Sequence, residues 1–487
     1  MRKLIKLKFD KQIVLLLFLN LILFLPSLFE PISYGDECIY LTLGQAVRKG
    51  AVLYRDIHDN KPPLLYFLAA LSLGRLSLLR GFNLAVNLAH LGLVYYLAKK
   101  LTKNRLASFL AGLSFIIFYL FFEGRTANGE MFMMLPATLA VYLLFKDQKV
   151  ETLRKNLLIG FLFAIGFLFK VPLVFDFVGI IFAYYFLPLK KISLENLKKV
   201  LRDKRLITNL LGFSVPILAS IIYYTLKGAF TPYVRSALLQ NIGYLSSWQG
   251  SGSDLIIRFC LTIALALIIL ALRKFISGKI AFFSIWFAFA LFGALLPGRP
   301  YPHYLIEIAP SLSILIALIW SEKKVKNIVV AAAALGLFFW GYSHYRFWYY
   351  PILPYYKNFL LFAGGRINQE QYLSFWGEKT AEDYRLARLI KEHTLPTEPV
   401  FIWGDGACTY AIADRLPAGR YTVNYHIFDF NGFEETLNSI GDKKPKIIIK
   451  LNGEKTIWPE LNQLLFRNYR LFLYPEISDR VFLLKRS

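Results

Sequence analysis

The residues of this chain best suited to chemistry lie between Gly35 and Tyr66, GDECIYLTLGQAVRKGAVLYRDIHDNKPPLLY. Two acids stand side by side, Asp36 and Glu37. Tyr54 and Asp56 follow, then His58, Asp59, Asn60 and Lys61, and Pro62 and Pro63 lead into an apolar run. A carboxylate within reach of a hydroxyl or amine can accept its proton. A lysine can stabilise a phosphate that departs with negative charge. Carboxylates, a lysine and aromatic rings at the rim of a membrane are what a charged lipid head group and its sugar require.

The elements around this stretch are membrane helices. Hydrophobic residues make up 56% of the 487, and the mean hydropathy is +0.46. Apolar runs repeatedly approach the ~20 residues of a bilayer span. The pattern predicts a polytopic α-helical membrane protein of about 11 transmembrane helices. The expected spans are 12–29, 82–98, 106–122, 131–145, 157–169, 173–188, 207–226, 254–272, 280–296, 302–320 and 327–345, with 62–80 a shallow or re-entrant helix. A basic stretch precedes the apolar run Ile13–Phe29 and no small-residue cleavage site follows, so this reads as an uncleaved first helix.

The formal charge of +25 would suggest nucleic acid in a soluble chain. Here the basic residues cluster at the N-terminus and at 99–105, 146–155, 190–205, 273–279 and 323–326, which are alternate connections. The positive-inside rule accounts for that and places these segments in the cytoplasm. Loops 30–81, 123–130, 227–253 and 297–301 are then outside, as is everything after 346. No nucleic-acid partner is expected. The localisation implied is a multi-pass integral membrane protein, by preference of a bacterial inner membrane, with a cytoplasmic N-terminus and an extracytoplasmic C-terminal domain.

Three divisions follow: a membrane domain over 1–345 with the external loop 30–81, a juxtamembrane connector over 346–375, and a small α/β domain over 376–487. In the last, 380–394 reads as an amphipathic helix, with Thr380 and Asp383 spaced like a capping box. β-like runs follow at Pro399–Trp403, Lys446–Lys450, Arg470–Tyr474 and Val481–Leu484, with helices near 406–414, 433–440 and 457–466 between them. The Gly404-Asp405-Gly406 sequence lacks the third glycine of a dinucleotide fingerprint and reads as a turn. The three cysteines Cys38, Cys260 and Cys408 show neither metal-ligand nor disulfide spacing.

An ionisable side chain at mid-bilayer costs roughly 2.5–3.5 kcal/mol, so those that persist snorkel, pair or work. In the expected topology Glu130, Lys170, Asp176, Arg258, Arg299, His303 and Glu307 all fall at outer span ends or in outer loops. His90 is the mid-span exception and reads as a hydrogen-bonded structural histidine. A transporter would need polar partners through the midplane or on both sides. An enzyme acting on an outer-leaflet head group needs them on one side. The one-sided distribution favours the enzyme over a transporter or flippase of lipid-linked sugars, and the Asp36–Glu37 loop argues against a non-catalytic receptor or assembly subunit. His303 and Glu307 are i and i+4, so on a helix they would share a face. Arg299 and His303 suit a phosphate, Arg258 either snorkels or holds one, and Lys170 and Asp176 read as a structural pair. Glu130 begins a span facing the same outer space as Asp36.

These motifs resemble those of the GT-C membrane glycosyltransferase superfamily, which includes protein O-mannosyltransferases and the aminoarabinose transferases of lipid A. The resemblance rests on Asp36 and Glu37 after the first span, then Tyr54, Asp56 and Lys61-Pro62-Pro63-Leu64. Glu130 and Pro302 to Leu305 add to it, and it covers about residues 10–345. It implies inverting transfer of a sugar from a polyprenyl-phosphate carrier to a lipid, glycan or protein acceptor at the external face. It assigns Asp36 as catalytic base or acceptor-orienting acid and Glu37 as its support. Lys61, with Arg258, Arg299 and His303, would hold the donor phosphate, and Tyr54, Asp56, His58 and Asp59 would support the loop or the acceptor. Some relatives hold a divalent metal between the two acidic sites, here Asp36 and Glu130. This chain has Glu at the second where others have Asp.

Overall fold

A computed structural model describes residues 10–146, 152–240, 252–322, 325–475 and 477–485. Most of the N-terminal basic residues and parts of the 146–155, 227–253 and 323–326 connections therefore lie outside the described residues. The fold is mostly helical. Each expected span has a helix at its position. Among the described residues six are long and apolar enough to cross a membrane: Lys11–Phe29, Leu76–Thr102, Lys204–Leu226, Asp254–Leu272, Gly278–Leu295 and Pro302–Glu322. Arg105–Phe121, Gly129–Phe145 and Leu173–Phe186 are shorter apolar helices.

The chain divides into two compact units. The first comprises residues 1–25, 81–220 and 241–350, the second 26–80, 221–240 and 351–487.

The first unit is a helix bundle. Its first helix starts where the Asp10 side chain accepts from the Gln12 N–H. Asp10 also receives Lys99 Nζ at 2.5 Å and Tyr95 Oη at 2.7 Å. Asn104 and Thr152 cap two further helices with their side-chain oxygens, which satisfies N–H groups that have no partner inside the helix. Gly160 and Gly212 lie where a Cβ would collide with the backbone of the facing helix, so small residues set that close approach. His90 lies buried, with ring nitrogens 3.0 Å from Tyr119 Oη and 2.8 Å from Thr138 Oγ1, the structural role its mid-span position suggested.

The second unit contains a four-stranded sheet. Its strands are β1 (Phe401–Trp403), β2 (Ile447–Lys450), β3 (Tyr469–Phe472) and β4 (Arg480–Leu484), in the order β1-β2-β4-β3. β1 and β2 are parallel and the other pairs antiparallel. Side chains alternate across a strand, and each face builds a separate core. Ile402, Ile447, Ile449 and Val481 pack with Leu386 and Ile390 of the Glu378–His393 helix. Phe401, Trp403 and Ile448 pack with Ile440, Leu461 and Leu465 on the other face. The helix Glu378–His393 begins at Gly377 without a side-chain cap. Thr380 instead donates to the Trp376 carbonyl and Asp383 accepts from Lys379 and Thr409, so the expected capping box does not form. Gly404 takes φ +134° in the expected turn.

Two expectations for the 30–81 segment are corrected. The stretch opening with the acids is a helix, Gly35–Arg48, and the span helix behind it starts at Leu76, ahead of residue 82. Between them lies a short helix, Leu64–Leu71. Gly44 lets the first rest on the second, because a Cβ there would meet Ala69 backbone carbon at 2.6 Å.

Candidate active site

The acids occupy the first turn of the Gly35–Arg48 helix, at its positive dipole end. A helix places Asp36 and Glu37 about 100° apart, and their surroundings differ accordingly. Glu37 is 1% exposed. Its Oε1 and Oε2 accept from Arg80 Nε at 2.9 Å and Nη2 at 2.6 Å. Arg80 Nη1 also pairs with Glu30 at 2.6 Å and donates to the Ser27 carbonyl at 3.0 Å. Tyr355 Oη donates to Glu30 at 2.6 Å. This is a buried, closed ion cluster. Asp36 keeps 30% of its side chain exposed, with Lys61 Nζ 3.4 Å from its Oδ1.

Lys61 stands between two carboxylates, since Asp59 Oδ2 is 3.7 Å from the same nitrogen. The Tyr40 ring lies 5.0 Å from it. Asp59 is buried and accepts from Tyr66 Oη at 2.6 Å. The turn before Lys61 is tightly fixed. Tyr54 takes φ +71°, a region that costs a bulky residue roughly 1–3 kcal/mol. Its N–H bonds the Ile57 carbonyl at 2.6 Å and its Oη donates to the Lys61 carbonyl at 2.8 Å. Asp56 accepts from the Val52 N–H at 2.8 Å and from Arg55 at 2.7 and 2.9 Å. His58 is buried, with Nδ1 3.2 Å from Ser236 Oγ. Tyr54, Asp56, His58 and Asp59 therefore all hold the shape of this loop.

C-terminal residues of the same unit complete the surroundings. Two of the cysteines, whose spacing carried no disulfide signal, are bonded: Cys38 and Cys408 form a disulfide. Thr42 Oγ1 donates to the Ala407 carbonyl at 3.2 Å, and Gln45 Nε2 to that of Ala411 at 2.9 Å. The His58 N–H bonds the Arg420 carbonyl at 2.8 Å.

The first unit holds the other sequence-predicted residues. Glu130 lies in the first turn of the Gly129–Phe145 helix and pairs with Lys170. His303 Nδ1 is 3.1 Å from Glu123 Oε2, and its Nε2 is 3.9 Å from Glu130 Oε1. Lys170 lies 4.4 Å over the Tyr304 ring. The expected Lys170–Asp176 pair is not formed: Asp176 accepts from Trp286 Nε1 at 2.6 Å and hydrogen-bonds Glu307. His303 and Glu307 part company because Pro302–Ile308 is a 3₁₀ helix, in which three residues per turn send i and i+4 in different directions. Arg258 donates to the Asp254 carbonyl at 3.1 Å and to that of Leu295, with its guanidinium 5.4 Å from the Tyr345 ring. Arg299 is half-buried in the segment before Pro302. Sequence reading overlooked Arg80, Glu30 and Glu123, which are lone charges at helix ends with no pattern of their own.

The chemistry of the donor set bears on the metal that the resemblance allows. Among the described residues no three His, Cys, Asp or Glu side chains are placed to hold an ion. Lys170 and His303 already face Glu130, and Lys61 faces Asp36.

Residues 60–218 match the family model of dolichyl-phosphate-mannose-protein mannosyltransferases. ArnT from Cupriavidus metallidurans bound to undecaprenyl phosphate superposes with a TM-score of 0.60 at 13% identity, over 96% of this chain and 97% of its own. Its apo state gives a TM-score of 0.57, with the same identity and coverage. A search of curated proteins finds no match. The resemblance to the GT-C superfamily is borne out: the fold match extends over 96% of the chain, and the family model covers residues 60–218.

Proposed function

We propose that this chain is an inverting glycosyltransferase that moves a sugar from a polyprenyl-phosphate carrier to an acceptor at the extracytoplasmic face. The observation that carries the reading is Asp36: a partly exposed carboxylate 3.4 Å from Lys61, beside a second acid that Arg80 has already claimed. One acid is open to substrate and the other anchors it.

In the step, the acceptor oxygen or nitrogen forms a bond to the anomeric carbon while the bond from that carbon to the phosphate oxygen breaks. The acceptor proton passes to Asp36. The electron pair leaves with the polyprenyl phosphate, whose charge basic groups stabilise. Lys61, Arg258, Arg299 and His303 are the basic residues assigned to it; Lys61 is also paired with Asp36, His303 with Glu123, and Arg258 with backbone carbonyls. Glu130 is the second acidic site. The undecaprenyl phosphate bound to the ArnT structure supports a polyprenyl carrier.

Disulfides persist in oxidising compartments. The Cys38–Cys408 bond therefore supports the same external side for the acidic helix and the C-terminal segment that the basic loops indicate. The division into a membrane domain over 1–345, a connector over 346–375 and an extracytoplasmic domain over 376–487 belongs to this proposal.

The test is transfer from a panel of polyprenyl-phosphate sugars, with the acceptor product read by mass. Asp36→Asn should lower the rate by about 10²–10⁴-fold with the unfolding midpoint unchanged. Native-rate transfer by a folded Asp36→Asn chain would remove Asp36 from the chemistry.

A further inference from the structure

Asp59 is 1% exposed, and its two oxygens have different partners. Oδ2 accepts from Tyr66 and faces Lys61. Oδ1 lies 3.6 Å from Nε2 of His426, a residue of the Asn424–Asp429 helix far along the chain. His426 comes there because the backbone at 420–421 runs beside His58 in a parallel bridge. Its ring meets the His58 ring edge-on at 4.9 Å between centroids. It lies outside the stretch matched by the family model.

Burial lowers the His426 imidazole to about 4, so it is neutral near pH 7. The groups facing it are Asp59, Lys61, Asp36 and His58. A neutral ring that turns Nε2 to a carboxylate carries its proton on that nitrogen. At 3.6 Å the contact is a charge–dipole attraction, longer than a hydrogen bond, acting in a low-dielectric setting where such terms are strengthened.

We propose that His426 is a positioning residue that acts through Asp59: its N–H shares the carboxylate's charge and so loosens the hold of Asp59 on Lys61. The ammonium then stands between Asp59 and Asp36, where a donor phosphate can draw it away. This rests on the transferase reading above. It gives the C-terminal segment a direct part in tuning donor binding.

The probe is undecaprenyl phosphate titrated onto the full chain in detergent. His426→Phe keeps an aromatic ring and removes the donor; the dissociation constant should rise about fivefold, the size of one modest polar contact. His426→Gln, which keeps an N–H donor, should stay within about twofold of the native value. In a Lys61→Met background His426→Phe should have no further effect, because coupled residues are non-additive. Native binding by His426→Phe overturns the proposal, as does an equal loss in the Lys61→Met background, which would mark a packing role. If His426→Phe does not fold, Asp59→Asn is read instead. It should tighten binding by freeing Lys61, and unchanged or weaker binding overturns the proposal. Binding that follows this pattern in a chain that transfers no sugar would sink the transferase reading alone, and a native chain that binds no undecaprenyl phosphate sinks this proposal.

Discussion

Arg80 grips both oxygens of Glu37, at 2.9 and 2.6 Å, and the pair is almost completely buried. Of two neighbouring acids, one is thereby made part of the scaffold while Asp36 stays accessible. Removing the cation would leave Glu37 and Glu30 buried without the positive charge of Arg80. Arg80→Met should cost about 3–5 kcal/mol, measured as a lowered midpoint in detergent. Transfer by the surviving folded fraction should fall too, since the helix start that carries Asp36 is loosened. A native midpoint for Arg80→Met would contradict the cluster.

The pairing of cysteines can be read chemically. Without reductant one of the three thiols, Cys260, should alkylate, and all three after reduction and unfolding. Replacing Cys38 and Cys408 by serine should destabilise the second unit by about 2–5 kcal/mol. Three labelled thiols in the untreated native protein would show that the bond does not form.

Acid sensitivity follows from two buried histidines outside the membrane helices. Burial holds His58 well below its ordinary value and His426 at about 4. The unfolded chain binds protons at these sites near pH 6.5 while the folded chain does not. Stability is therefore full above pH 6.5 and declines as pH falls, until His426 protonates in the folded state near pH 4. The His426 share should be on the order of 3 kcal/mol. Unfolding midpoints of the native chain and of His426→Gln from pH 7.5 to 4.5 check this, and parallel curves would refute it.

In the first unit, the half-buried Lys170 pairs with the buried Glu130. Lys170→Met should destabilise by about 3–5 kcal/mol because it strands a carboxylate. Adding Glu130→Gln should recover part of that stability, with a coupling of roughly 1–3 kcal/mol in a double-mutant cycle. Strict additivity would show that the two residues do not act together.

How much of this was legible in sequence depends on how local each signal is. The strands at 401–403 and 447–450 are short runs of β-branched and aromatic residues buried on both faces, so their positions could be read directly. Asp36 and Lys61 stood out as a motif, and the structure brings them together. The Gly35–Arg48 helix passed for a loop because Asp36, Glu37, Thr42, Gln45 and Arg48 interrupt its apolar residues, although everything from Glu37 to Ala46 is buried. The disulfide was missed because its cysteines are 370 residues apart and spacing informs only nearby pairs. His426 and Arg80 were missed for a related reason: each is a single polar residue whose meaning is the residue it meets.

The disulfide also orders events in the life of the chain. Its first sulfur is made early and its second 370 residues later. The acidic helix therefore waits, unstapled, until Cys408 has been made. A copy truncated before Cys408 would carry the acidic helix without its clasp.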